Sequence, residues 1–190
     1  MTKDAKDRVI YLTTPLTVDK RVRLQAGDRV LLSGEIYTAR DAAHKRLLDQ
    51  ISKVQPLPFA LQDQVIYYVG PAPARPGRVI GPAGPTTSYR MDRYTPELLD
   101  RGLSGMIGKG DRSLEVVSAM KRNQAVYFCA TGGAAALLAQ SIVRSEIIAY
   151  EDLGPEAIRV LTVREMPLIV AIDAYGNNLY EEGIRQFTQE

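Results

Sequence analysis

The chain has 190 residues, 45% apolar and 24% charged, with Lys+Arg 24 against Asp+Glu 22 and a net charge of +2. That length can bury a substantial core and suits a single domain over 1–190, while the balanced charge and 7% aromatic content lack the basic, stacking face of a nucleic-acid binder. Residues 1–8 form a polar lead without a secretory pattern, no apolar run nears the roughly 20 residues that span a bilayer, and the protein is expected to be cytoplasmic, with no membrane contact.

A single cysteine, Cys129, excludes an internal disulfide and any thiolate-held cluster or zinc site built by this chain alone. The single histidine, His44, excludes a two-histidine metal site. No metal ligand is assigned to this chain.

In chain order, residues 9–16 (VIYLTTPL) predict a strand. A short polar–apolar alternation follows at 21–24, and 26–28 reads as a turn. Residues 29–39 predict a second strand, with Gly34 as a bulge or close approach. From Arg40 the apolar period changes: Ala43, Leu47, Leu48 and Ile51 recur at helical spacing, and Pro56 and Pro58 end that helix. Residues 65–69 (VIYYV) are a compact strand. The proline- and glycine-dense stretch 70–85 must be irregular, and loops of that length are usually functional or mobile.

Residues 81–92 (GPAGPTTSYRMD) organise the rest. Three consecutive hydroxyls, Thr86, Thr87 and Ser88, stand where a helix can start, because Thr and Ser are favoured N-caps. Free amides at such a start, beside Arg90, suit an anionic ligand, and an ordinary capped loop-to-helix junction explains the spacing equally well. Beyond it, Pro96 suits the first turn of a short helix capped by Thr95 and stopped at Gly102. Residues 104–107 predict a buried strand ending in the turn Gly108-Lys109-Gly110, and 113–121 a helix. Residues 125–130 (AVYFCA) predict an apolar strand, in which Cys129 is most simply a small core residue. Thr131-Gly132-Gly133 then turns into a helix over 134–143; its amides suit an anion, and close strand–helix packing explains the two glycines equally well. Strands are expected at 146–150, 158–163 and 168–172, then a turn at Gly176-Asn177 and a terminal strand or short helix over 178–186. The pattern favours a mixed α/β sheet in which strand-rich ends flank an α/β middle.

Arg40, the Thr86-Thr87 pair, Arg90 and Lys109 all fall at element junctions, where ligands gather in α/β sheets. Arginine grips a carboxylate through two nitrogens, and lysine acts as a point charge, so the set fits a dianionic small molecule. Each of these residues taken alone is better explained as solvated surface. His44, one turn beyond Arg40 and near Asp41, has the position of a structural hydrogen-bonding group.

Four blocks, SGEIYTARDAAHKR, GPAGPTTSYRMD, GMIGKG and YFCATGGAAALLAQ, resemble in order and spacing the β part of class I, iron–sulfur-dependent fumarate hydratases and the related L(+)-tartrate dehydratase β subunits. The resemblance covers most of the chain and implies a swivelling β/β/α domain. It implies a separate β subunit working with an α subunit that holds a [4Fe–4S] cluster through three cysteines, and a higher oligomer of that pair. The implied reaction interconverts fumarate and (S)-malate, with Thr86 as the base, and Arg40, Thr86, Thr87, Arg90 and Lys109 binding substrate. Asp41 and His44 are implied to support those groups from behind. The family often carries a small residue where Tyr89 stands, a departure expected to alter packing behind Arg90. L-tartrate as substrate, or a domain that binds a carboxylate or partner without turnover, are the competing readings.

Overall fold

Residues 65–67, 105–108 and 126–129 are short uninterrupted apolar runs, and such runs need a cover on both faces. In the computed structural model, which describes residues 9–130 and 134–187, they have one. Seven strands are described: β1 Val9–Thr13, β2 Arg29–Thr38, β3 Val65–Tyr67, β4 Gly105–Gly108, β5 Val126–Cys129, β6 Ile142–Ala149 and β7 Ile158–Ile172. β1 to β5 pair in parallel in that order. β7 runs antiparallel to β5 and β6, and also to β2, so that β2, β3, β4, β5 and β7 close into a ring.

The two-residue period of the strands sorts their side chains into two cores. Val30, Leu32, Ile36, Tyr67, Ile107, Phe128, Leu161 and Val170 pack in the core that all five ring strands share. The alternate residues Ile66, Met106 and Tyr127 pack under the helices α2 Asp41–Ser52, α3 Thr95–Asp100 and α4 Leu114–Asn123. Each fully buried Leu, Ile or Phe side chain contributes about 1.5–3 kcal/mol through removal from water. Parallel neighbours cannot be joined by a tight turn, so α2 carries the chain from β2 to β3 and α4 from β4 to β5. Both crossovers bring their loops to the carboxyl ends of the parallel strands.

The mixed α/β architecture agrees with the pattern of the sequence, and the differences lie in element boundaries. The 21–24 alternation begins on the last residue of a short helix, α1 Val18–Arg21. Residues 142 and 143, expected to end a helix, begin β6, and α5 is only Ala135–Gln140. The two C-terminal strands expected at 158–163 and 168–172 are one 15-residue strand, because β2 pairs antiparallel with it on both sides of a bulge. The bulge expected at Gly34 is present as a register shift between Leu32 and Gly34. The segment after Gly176 is a helix, α6 Leu179–Phe187. Thr131, Gly132 and Gly133, with the anion site suggested for them, lie outside the described residues. Among the described residues no helix is long and apolar enough to cross a membrane.

The long loop 70–85 is irregular, as its composition requires, but it is packed. Ile80 and Ala83 belong to the ring core, and the Tyr67 hydroxyl donates to the Ala83 carbonyl at 2.6 Å. The loop folds back on itself through Ala72 N–H to Pro82 O, 3.1 Å. A Cβ at Gly81 would collide with the Ala72 and Pro73 carbonyl oxygens, so only glycine allows that approach.

Candidate functional site

The loop's exit seats residues 86–88 against the sheet. Thr86 N–H donates to Tyr68 O at 2.7 Å and Lys109 N–H to Thr86 O at 3.3 Å, while Ser88 N–H donates to Lys109 O at 2.9 Å. Thr87 and Lys109 thus form an isolated parallel bridge that extends the edge of β4. The seat demands a glycine beneath it, because a Cβ at Gly108 would collide with Ser88 Oγ. Ser88 is fully buried and donates to the Tyr127 hydroxyl at 2.8 Å, since the one Tyr127 proton goes to Gly110 O, also at 2.8 Å. Burial pushes the Tyr127 hydroxyl far up from its usual range, so it remains a donor.

The hydroxyls do not cap a helix as their pattern suggested. Residues Ser88–Met91 form a single 3-10 turn, and neither Thr87 at its start nor Thr95 makes a side-chain cap. Thr95 is the first residue of α3, and its hydroxyl donates to Met91 O at 2.9 Å. Thr86 and Thr87 are half-buried, and neither hydroxyl is spent on a protein partner among the described residues.

Arg40 ends up at the carboxyl end of β2 as the N-cap residue of α2. Its Nη2 lies 3.5 Å from Glu156 Oε1, and the other oxygen of that carboxylate accepts from Ala42 N–H at 2.8 Å. Arginine and helix amide together therefore already hold a carboxylate, the chemistry expected of a cation beside a helix start. Arg90 is 44% exposed and donates from Nε to Asp41 Oδ1 at 2.9 Å. Lys109 is exposed and makes no ion pair among the described residues. The rim thus joins Arg40, Asp41 and Arg90 through α2 and the 3-10 turn, and Thr86, Thr87 and Lys109 through the bridge at β4. Three cations against Asp41 and Glu156 leave it positive. Tyr89, beside Arg90, is exposed.

Below the rim lies a buried polar floor. Arg112 donates from Nε to Asp92 Oδ1 at 2.7 Å and from Nη2 to Thr95 Oγ1 at 2.8 Å, with its guanidinium carbon 5.3 and 5.1 Å from the ring centres of Tyr68 and Tyr127. Asp92 Oδ2 accepts from Ser113 N–H at 2.7 Å at the start of α4. His44 is fully buried against Tyr68, edge to face at 5.3 Å, with Nδ1 2.9 Å from Arg40 O. Burial holds its pKa down from 6.5 to about 4, so the ring is neutral and Nδ1–H donates. His44 fixes the backbone of Arg40 from beneath and does not face the rim.

Asp92, Arg112, Tyr127 and Glu156 were not marked as site groups from sequence. Asp92 ends the GPAGPTTSYRMD block and Arg112 follows GMIGKG by two residues, so the blocks contained the pair while giving no sign that it was one. Glu156 lies on a remote 3-10 segment, Glu151–Glu156, with no local signal at all.

Residues 1–183 match the family described as "Fumarase C-terminus". This chain belongs to the fumarase C-terminus family. Among its relatives is a provisionally named L(+)-tartrate dehydratase subunit beta of Methanocaldococcus jannaschii, 39% identical over 178 residues that cover 90% of this chain and 91% of that protein. The aerobic class I fumarate hydratase of Salmonella typhimurium is 40% identical over 156 residues, 81% of this chain and 27% of that one. Fumarate hydratase 2 of Leishmania major is 37% identical over 158 residues, 82% of this chain and 28% of its own length. The chain therefore spans nearly all of the first relative and just over a quarter of the other two. These relatives are hydro-lyases, which places the chain in a hydro-lyase family.

Proposed function

We propose that this chain is the β half of a hydro-lyase active site that interconverts fumarate and (S)-malate, completed by an α subunit carrying a [4Fe–4S] cluster. The observation that supports it is the meeting of Arg40, Thr86, Thr87, Arg90 and Lys109 at the carboxyl ends of β2, β3 and β4, where Arg40 and an α2 amide already hold the Glu156 carboxylate. The chain's own residues do not fit an iron–sulfur cluster. Its one cysteine, Cys129, accepts from the Tyr180 hydroxyl at 3.3 Å, and among the described residues no three His, Cys, Asp or Glu groups gather as metal ligands. The cluster is therefore assigned to the partner, and the steps below concern this chain alone.

Arg40, Arg90 and Lys109 bind the two carboxylates of the substrate, Arg90 keeping Nε on Asp41 and offering its Nη groups. Thr86 Oγ1 takes the proton from the carbon beside one carboxylate, and returns it in the reverse direction. A threonine hydroxyl is a poor base in water, and the neighbouring cations favour its ionised form. The same cations stabilise the negative charge that spreads into the carboxylate as the C–H bond breaks. L-tartrate is the second reading, supported by the near full-length match to a tartrate dehydratase β subunit.

Thr86→Ala in the assembled enzyme tests the assignment. The loss is expected in kcat, with KM nearly unchanged and solvent exchange of malate's carbon-bound proton abolished, while Thr86→Ser keeps part of the rate. A raised KM with intact kcat would instead make Thr86 a binding group. Assays with fumarate, malate and both tartrates decide the substrate.

A further inference from the structure

β6 is the outermost strand of the sheet and pairs with β7 alone. Its register is continuous from Arg144 to Ile147 and breaks on either side, leaving Val143 and Ile148 outside the ladder. Val143, Ile147 and Ile148 are exposed, and an edge strand with exposed β-branched residues is a template for another strand. Arg144 and Glu146 share one face, their side chains paired at 2.6 Å in solvent.

The order of residues decides what fits this edge. Residues 142–148 read IVRSEII, with apolar residues at both ends and opposite charges placed symmetrically about Ser145, so the strand is complementary to its own reverse. We infer that β6 pairs antiparallel with β6 of a second copy about a two-fold axis at Ser145. In that register Arg144 faces Glu146 of the other copy on both sides of the axis, and the exposed Val143 and Ile147 flank these pairs. Directly opposed unlike charges and β-branched pairs are the stabilising cross-strand combinations. Moving the axis to Arg144 or to Glu146 sets like charges face to face. Moving it half a residue, between Ser145 and Glu146, sets Arg144 against Ile147 and leaves no charge pair. A two-fold contact must be self-complementary, and only the Ser145 axis makes this strand so. The other outer strand, β1, carries no charge over Val9–Thr13 and has no such register preference. The regular run at β6 is short, which makes the association concentration-dependent rather than permanent.

The test is the mass of the full chain by analytical ultracentrifugation over a concentration series, with circular dichroism to confirm the fold of each variant. The weight-average mass is expected to rise from 21.0 kDa towards twice that value. Arg144→Glu and Glu146→Arg each place like charges across the axis twice and are expected to weaken association by about tenfold or more. The double exchange R144E/E146R re-forms both pairs and is expected to restore it. A wild-type chain that stays monomeric throughout overturns the inference, as do single variants that associate as well as wild type. If the wild type is monomeric and the single variants lose binding of the α subunit, the edge belongs to that partner and the inference is overturned in its favour.

Discussion

Arg90 and Arg112 make the same contact in opposite surroundings. Each donates from Nε to an aspartate oxygen, at 2.9 Å to Asp41 and at 2.7 Å to Asp92. The Arg90 side chain is 44% exposed and that of Arg112 is 0% exposed. On the rim, water competes for both partners, so the pair holds the arginine's direction at little energetic gain. In the floor, breaking the pair leaves a charge stranded in a low dielectric. The rim is thus suited to exchange partners with a ligand, and the floor to keep the rim's segments in register. Asp92 follows Arg90 closely and Arg112 follows Lys109 closely, so one buried pair ties together two of the three segments that carry rim cations.

Three experiments break or sharpen that contrast. Asp92→Ala strands the Arg112 charge and releases Ser113 N–H, and is expected to destabilise the chain by about 3–5 kcal/mol. Chemical denaturation checks it, as a lower midpoint at unchanged slope. A shift within about 0.5 kcal/mol, the size of an ordinary surface substitution, would mean that the floor is not a structural clamp.

His44 gives the floor a pH signature. Its pKa is held down, to about 4 from 6.5, so between those values the unfolded chain binds a proton that the fold refuses. Its contribution is fully present above 6.5 and is lost as pH falls towards 4, by about 3 kcal/mol in total for a shift of that size. His44→Gln is expected to remove that part of the slope, measured as the difference between the two stability–pH curves. Arg112 opposes protonation of the ring and Asp41 favours it, so the Gln variant is compared with both charges left in place.

Arg90→Lys is the rim counterpart. Stability should change by less than about 0.5 kcal/mol, because the lost contact is half in water. Turnover of the proposed complex should fall about 10²-fold, because a lysine cannot bond Asp41 and a substrate carboxylate in the arginine's fixed geometry. Full activity, or an unfolded variant, would remove Arg90 from the binding set.

Much of this was legible locally. The strand at 126–129, the helices α2 and α4 and the irregular loop 70–85 follow from apolar period, β-branched content and proline density, all short-range properties. Ser113, read from sequence as the first residue of α4, is its cap, accepting from Val116 N–H at 3.3 Å. The failures have one origin. Thr95 and Thr87 carry the right side chains for caps, but Thr95 is drawn instead into bonds with Met91 O and Arg112. Residues 142–143 suit the end of a helix until β7 offers an antiparallel partner.

Sequence alone determined the chemical inventory: one cysteine, balanced charge, and cations and hydroxyls at the boundaries between strand and helix. It also determined family membership, because the four blocks keep their order and spacing. Tertiary structure decided the pairings. That Glu156 meets Arg40, that Asp92 meets Arg112, and that β7 closes the ring against β2 all depend on contacts between residues far apart in the chain. Local propensity acts over a few residues and carries no term for such partners, whereas burial and ion pairing act on whatever the fold brings together.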